Sequence, residues 1–381
     1  MKEKIRTLHL ASFNGNIGDN ANHYGFYKKI EKINNFCFTF DELEIREFYW
    51  KKRFFNDSFV DLVNSYDLLI IGGGNYFELW VEGSPTGTSI AIELELLKKI
   101  NTPILINALG VDPGQGASSK NIDKFKCFLE LLIARNDFIS IRNDGAKKAI
   151  AEYVGIEYLQ YLNWTPDAGF LVDADEPSDY YKNKSYIAIN VAFDMEEIRF
   201  AKDLNLLGYT DFLSTFKTFI NNFLENYSDY EIIFIPHIFR DYTFITDILA
   251  ILDDEVRRTR VSVAPLLHGK DAIRDIMSIY SGAKCVLANR FHANVCNIGL
   301  EVPTIGLVNY RQIKELYAEM LCDDYVDVTV CDFDNILLSK VNNKLNGSSV
   351  RDTRLRDSMN KYYIEHCEKM GEWLESKFNE H

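Results

Sequence analysis

Arg290, Phe291 and His292 stand together at the head of a run of small and apolar residues, and their types suit chemistry on an anion. A guanidinium forks onto two oxygens of a phosphate or carboxylate, and an imidazole passes a proton near neutral pH. Groups of the same kind occur at three other places. Arg142 follows an apolar run, His237 follows the run Glu-Ile-Ile-Phe-Ile-Pro, and Asp19 closes the turn Asn16-Ile17-Gly18-Asp19. Glycines gather beside polar residues in Gly72-Gly73-Gly74-Asn75 and in Leu109-Gly110-Val111-Asp112, where a missing side chain lets a ligand approach the backbone. Each residue also has a plainer role. Arg290 caps carbonyls, His292 is satisfied in the core, Arg142 pairs with Asp144, Asp19 caps a helix, and His237 is a polar strand end at the surface.

The elements that must hold these residues follow from periodicity. Cys285–Ala288 is a short apolar run, the mark of a strand buried on both faces of a parallel sheet. A short helix is expected over 293–300, stopped by Val302-Pro303 ahead of the strand Thr304–Val308. In a strand-turn-helix-strand unit the strand's carboxyl end and the helix's first N–H groups face the ligand crevice, which is where Arg290 and His292 fall.

The same alternation runs through the chain. Strands are expected over 7–13, 35–40, 67–71, 103–108, 138–141 and 158–162, and helices over 20–33, 57–66, 88–100, 118–135 and 144–154. Residues 1–175 therefore read as one α/β domain, and the acidic stretch 173–184 as its linker. Periodicity restarts in a second α/β domain over 183–345, with strands at 186–192, 231–236, 261–264 and 325–330. Its other helices fall at 211–227, 241–258, 271–280, 310–321 and 334–345. Residues 346–381 add a long mixed-charge helix over 351–378, expected to pack across both domains. Tyr76, Phe77 and Trp80, on a glycine-rich loop, are either a sugar-stacking lid or a plug over the sheet end.

Composition narrows the function. A formal net charge of −14 in 381 residues argues against a broad basic surface for nucleic acid, but not against one small anion in a pocket. No apolar run approaches the length of a membrane span, and Met1-Lys2-Glu3-Lys4 leads into a strand-like segment with no signal-peptide core. The seven cysteines are scattered without a Cys-x-x-Cys pair, and four lie in apolar runs that read as buried. Reduced thiols in the cytoplasm are expected, with no disulfide and no zinc site.

Several motifs, taken in order, resemble one family. They are GNIGD at 15–19, IIGGGN at 70–75, LGVDPG at 109–114, SIRNDGAKKAI at 140–150, PDAGF at 166–170 and RFHANVCNIGLEVPTIGL at 290–307. The set resembles the polysaccharide pyruvyl transferase family, with the arginine-aromatic-histidine segment its most specific part. That resemblance implies two Rossmann-like domains facing a central cleft, as in B-type (GT-B-like) glycosyltransferases. It also implies transfer of pyruvate from phosphoenolpyruvate to two hydroxyls of a sugar, giving a cyclic ketal.

Carried onto this chain, it puts Arg290, Phe291 and Arg142 at the donor, with His292 as the acid and Asp19 as base or sugar anchor. Asn16, Gly18, Gly73, Gly74, Asn75, Asp112 and His237 become the remaining substrate contacts. No metal or cofactor is expected beyond phosphoenolpyruvate as the donor substrate. The other partner is a sugar or glycan acceptor, free or lipid-linked, met in the cytoplasm or at the inner face of the membrane, and no nucleic acid is expected. The chain departs from the family pattern at Asn143, where an acid is usual, and at Ala146, where serine is frequent. Arg311 and Lys314 flank the position of a usual lysine. A nucleotide-sugar glycosyltransferase on the same frame is the main alternative, although no Glu-x7-Glu clamp lies near Arg290. A sugar- or anion-binding protein without turnover is a further one.

Overall fold

A computed structural model describes residues 3–32, 35–114, 116–200, 206–347 and 353–378. The chain divides into two compact units, and the division does not follow the chain in order. The first holds the described residues of 1–14, 22–168 and 358–381, and the second those of 15–21 and 169–357. Each unit is built on a six-stranded parallel sheet. In the first, the order from edge to edge is Phe36–Glu44, Glu3–Ala11, Leu68–Gly72, Ile104–Leu109, Phe138–Arg142 and Asn163–Thr165. In the second it is Val261–Val263, Tyr230–Phe234, Ser185–Asn190, Cys285–Ala288, Thr304–Val308 and Tyr325–Asp327. Central strands such as Leu68–Gly72 and Cys285–Ala288 are buried at every residue, which is why they read as unbroken apolar runs. Two Rossmann-like α/β sheets in one chain are the architecture of the GT-B-like class.

Several elements differ from expectation for local reasons. Only Leu94–Leu97 is helical within the stretch 88–100. The Thr86 hydroxyl donates to the Ile90 carbonyl at 2.7 Å and accepts from the Thr88 N–H, so hydroxyl side chains hold this loop outside a helix. A tight helical segment, Ile156–Tyr161, replaces the strand expected at 158–162, and the strand falls at Asn163–Thr165. The helix expected over 144–154 is a single α turn, Ala146–Ala149, continued by the wider π turn Ile150–Val154. The helix over 241–258 divides into Asp241–Ile251 and Asp254–Thr259. The expected ends at Ile33 and Arg351, and Met1-Lys2, lie outside the described residues.

Tyr76 and Phe77 are buried. Phe77 packs edge-on against Phe125 at 5.0 Å and the Tyr76 hydroxyl accepts the Ser12 N–H, so this part of the loop is a plug. Two cysteines, Cys285 and Cys296, are buried rather than four, because Cys37 and Cys127 fall on the outward faces of their elements; all seven are free thiols. The last helix is Arg354–Phe378, and from Ser358 on it belongs to the first unit. There Trp373 donates to the Asn136 carbonyl at 2.9 Å, and His366 lies buried against Phe138. Among the described residues no helix is long and apolar enough to cross a membrane.

Candidate functional site

Three parallel strands of the second unit end at or immediately before an asparagine, Asn190, Asn289 and Asn309, and these amides lock the strand ends together. Asn190 accepts the Arg290 N–H at 3.1 Å and donates to the Ile235 carbonyl. Asn289 accepts the Ala192 N–H and donates to Asn309 at 2.7 Å. The turn after Cys285–Ala288 is thereby fixed, with Arg290 in extended geometry as the N-cap of the nine-residue helix Phe291–Gly299. The Arg290 side chain makes no cap to that helix. The helix's positive end adds to the field of the arginine above it.

The Arg290 guanidinium is oriented by two carboxylates. Nε donates to Asp241 Oδ2 at 2.9 Å, and Nη2 donates to Asp194 Oδ1 at 2.8 Å and to Asp241. Among the described residues Nη1 makes no hydrogen bond, and the side chain keeps 12 % of its surface exposed. Burial works against the charge, but Asp241 and Asp194 outweigh it and hold the group firmly cationic. A second buried arginine, Arg199, lies 3.8 Å from Asp194 and stacks over the Tyr310 ring. The Asp194 carboxyl is pushed up by burial and pulled down further by Arg290 and Arg199, so it ends below the usual carboxylate range. Two cations thus meet two carboxylates, and the charges balance.

Asp19 and His292 come together in the same unit, with His292 Nδ1 3.6 Å from Asp19 Oδ1 and both residues buried. Asn16 Oδ1 accepts the Gly18 N–H at 3.0 Å and so caps the helix Ile17–Ile30, placing Asp19 in its first turn. Gly18 is required by packing: a Cβ there would lie 2.6 Å from His292 Cβ and 2.8 Å from its Nδ1. Phe291 is buried, its ring 5.5 Å from the imidazole. His237 is wholly buried rather than a surface strand end, and its Nε2 shares a 2.8 Å hydrogen bond with the Tyr280 hydroxyl. Burial, with the charges of Arg290 and His292, holds its ring well below the ordinary imidazole range, and therefore neutral.

The first unit has its own guanidinium, differently set. Arg142 ends the strand Phe138–Arg142 with 3 % of its side chain exposed. Its Nε donates to Asp144 Oδ2 at 2.7 Å and its Nη1 lies 3.6 Å from Asp167 Oδ2. Burial raises the Asp144 carboxyl above its usual range, although Arg142 opposes the shift. Asn143, where an acid is usual, accepts the Asp167 N–H at 2.9 Å and donates weakly to Met359 Sδ. Ala146 opens the short helix behind it and is fully buried.

Asn75 donates to Asp112 at 3.2 Å, and Gly110 makes room for this group. A Cβ there would lie 2.4 Å from Asn75, 2.6 Å from Asp144 and 2.9 Å from Arg142. Gly73, in left-handed geometry at φ 84°, fits against Asn22 and His23, and Gly74 against the Tyr76 ring.

The expected residues thus fall into two groups. Asn16, Gly18, Asp19, His237, Arg290, Phe291 and His292 belong to the second unit, and Gly73, Gly74, Asn75, Asp112 and Arg142 to the first. Sequence reasoning missed Asp194, Asp241 and Arg199. Asp194 and Asp241 lie just past the carboxyl ends of strands, a position that could have singled them out. Nothing in the sequence singles out Arg199.

A family model described as polysaccharide pyruvyl transferase matches residues 16–310, from the first-loop motif through Tyr310. No curated protein sequence matches the chain. Among solved structures, UDP-GlcNAc 2-epimerase from Methanocaldococcus jannaschii aligns over 95 % of this chain and 99 % of its own, with 12 % identity and a TM-score of 0.55. The UDP-GlcNAc 2-epimerase from Neisseria meningitidis, solved with UDP-GlcNAc, aligns over 96 % and 100 %, with 10 % identity and a TM-score of 0.55. The N-terminal domain of Candida albicans trehalose-6-phosphate phosphatase covers 99 % of this chain and 100 % of its own, with 10 % identity and a TM-score of 0.53. At such identities these structures share the fold with this chain.

Proposed function

The chain belongs to the polysaccharide pyruvyl transferase family, and from that premise we propose that it moves pyruvate from phosphoenolpyruvate onto two hydroxyls of a glycan sugar as a cyclic ketal. The observation that carries this reading is Arg290. Two of its nitrogens are fixed by carboxylates, Nη1 is left over, and it stands at the start of a helix beside a carboxylate–imidazole pair. Such a place suits the phosphate or carboxylate of a doubly charged donor.

His292 delivers a proton to the methylene carbon, leaving positive charge on the neighbouring carbon. A sugar hydroxyl attacks there and gives its proton to Asp19. Phosphate departs with the C–O bonding pair, a second hydroxyl closes the ring, and the proton it releases restores His292. A placed acid or base of this kind contributes about 10²–10⁴-fold in rate. Arg142 is the proposed second donor contact, and Gly73, Gly74, Asn75 and Asp112 are proposed for the acceptor. The acceptor is a precursor or product of cell-surface polysaccharide synthesis, free or lipid-linked, met in the cytoplasm.

Calorimetric titration of phosphoenolpyruvate and of a panel of nucleotide sugars, followed by phosphate release with candidate glycans, tests this directly. Saturable phosphoenolpyruvate binding and acceptor-dependent phosphate release are expected. Tight binding of a nucleotide sugar with no response to phosphoenolpyruvate would contradict it and favour glycosyl transfer.

A further inference from the structure

Residues 49–54 of the first unit read Tyr-Trp-Lys-Lys-Arg-Phe, and every one of them is exposed. Trp50 shows 53 % of its surface and Phe54 60 %, and the two stand within five residues of each other. The run leaves the one-turn helix Arg46–Tyr49, and Lys51 takes left-handed geometry at φ 57°, which turns the chain into an exposed tip. Lys52 Nζ lies 5.0 Å above the Trp50 ring, and Arg53 is anchored to Glu47. Over 46–54 four cations face a single acid, Glu47; of the acids on either side, Asp41 accepts the Tyr66 hydroxyl, Glu44 is buried and accepts the Phe13 and Asn14 N–H groups, Asp57 is paired with Lys99, and Glu42 is exposed. Behind the tip lies a groove of about 210 Å³, with Leu43, Phe48 and Phe59 as its floor and Lys52, Arg53 and Phe54 along its rim.

We propose that this tip is a docking surface for an anionic lipid bilayer. Exposed tryptophan and phenylalanine beside lysine and arginine suit the head-group layer, where rings enter the acyl boundary and cations stay at the phosphates. An apolar-floored groove with a cationic rim accepts the same combination, an acyl segment below and a phosphate above. The charge pattern chooses the partner: a chain of net charge −14 is repelled by an anionic surface as a whole, and Lys51, Lys52 and Arg53 give this edge a local attraction to it. A protein partner is disfavoured by size, since a stable interface needs roughly 800 Å² per side and this tip is only six residues long. Docking by such an edge is reversible, because each cation near the surface strengthens it only about five-fold.

The test is sedimentation of the full-length protein with vesicles of phosphatidylglycerol mixed into phosphatidylcholine, compared with phosphatidylcholine alone. It needs no turnover, so its outcome is separate from that of the pyruvyl-transfer reading. Binding is expected to require the anionic lipid and to weaken at high salt. It should fall at least ten-fold in Trp50→Ala/Phe54→Ala and in Lys51→Gln/Lys52→Gln. Both variants alter exposed side chains and should keep the wild-type melting temperature. If either melts early, Phe54→Ser alone serves as the apolar variant and Lys52→Gln alone as the charge variant. Equal binding to both vesicle types, variants that bind like wild type, or a role for these residues only in self-association or nucleic-acid retention would overturn the proposal.

Discussion

The two arginines at strand ends look alike in sequence and differ in what surrounds them. In the second unit Arg290 and Arg199 meet Asp194 and Asp241, and the cations prevail: Asp194 is held below its usual range. In the first unit Arg142 alone meets Asp144 and Asp167, with Asp112 near enough to act on Asp144, and burial prevails: Asp144 is held above its usual range. An incoming anion therefore finds a balanced, partly open cluster at Arg290 and an acid-rich, sealed one at Arg142. The lesson is that two guanidiniums at strand ends are separated as anion sites by exposure, 12 % against 3 %, and by the number of acids around each. On this contrast Arg290 is the better placed of the two proposed donor contacts, and much of Arg142's field is already directed at its neighbours.

The sharpest way to break the contrast is to remove each arginine. Arg142→Ala removes the guanidinium that Asp144 and Asp167 share and should cost about 3–5 kcal/mol in urea unfolding. Arg290→Ala should cost less, because Asp241 still accepts the His237 and Ile238 N–H groups. Its main effect should be a loss of phosphoenolpyruvate affinity of roughly 100-fold, the scale of a lost charged hydrogen-bond pair. The reverse pattern, with Arg142→Ala stable but blind to the donor, would exchange the two roles.

The acid surplus of the first unit gives a second, smaller effect. Burial, with the charge of Asp112, raises the Glu78 carboxyl to about 7 from an ordinary 4.5, while a hydrogen bond from Ser89 opposes the shift. The folded chain therefore binds this proton more tightly than the unfolded one. Its contribution to stability is full in acid and is lost as pH rises through the interval between those two values. Discounted for partial exposure, the loss is on the order of 2 kcal/mol. Asp194, shifted the other way, loses its contribution only as pH falls. Urea midpoints of wild type and Glu78→Gln should converge in acid and separate near neutrality, with the variant the more stable. Parallel curves would show that Glu78 is ionised throughout.

The smallest effect concerns the fit between Gly18 and His292. Gly18→Ala would put a methyl group 2.6 Å from His292 Cβ, so the ring must shift away from Asp19. Turnover should fall roughly ten-fold with folding retained, since overpacking usually costs about 1–3 kcal/mol and alanine favours the helix. Unchanged turnover would mean that the Asp19–His292 spacing is not critical.

Much of this was legible beforehand. Cys285–Ala288 and Thr304–Val308 are strands as read, because a strand covered on both faces leaves an apolar run with no competing period. Gly18 read as a substrate contact, and the close approach found at it is to the His292 side chain. The partners of Arg290 were not legible: Asp241 and Asp194 lie 49 and 96 residues away, and only the stacking of parallel strands brings them in. The stretch 88–100 misled for a local reason, since Thr86, just before it, and Thr88 bond the loop's own backbone as readily as they would sit in a helix.

The most direct test of the account is acceptor-dependent phosphate release from phosphoenolpyruvate by His292→Asn, beside wild type. A fall of about 10²–10⁴-fold, with the melting temperature and phosphoenolpyruvate affinity nearly unchanged, is the predicted result for a ring that supplies the proton. Turnover within three-fold of wild type, or roughly that, would contradict it.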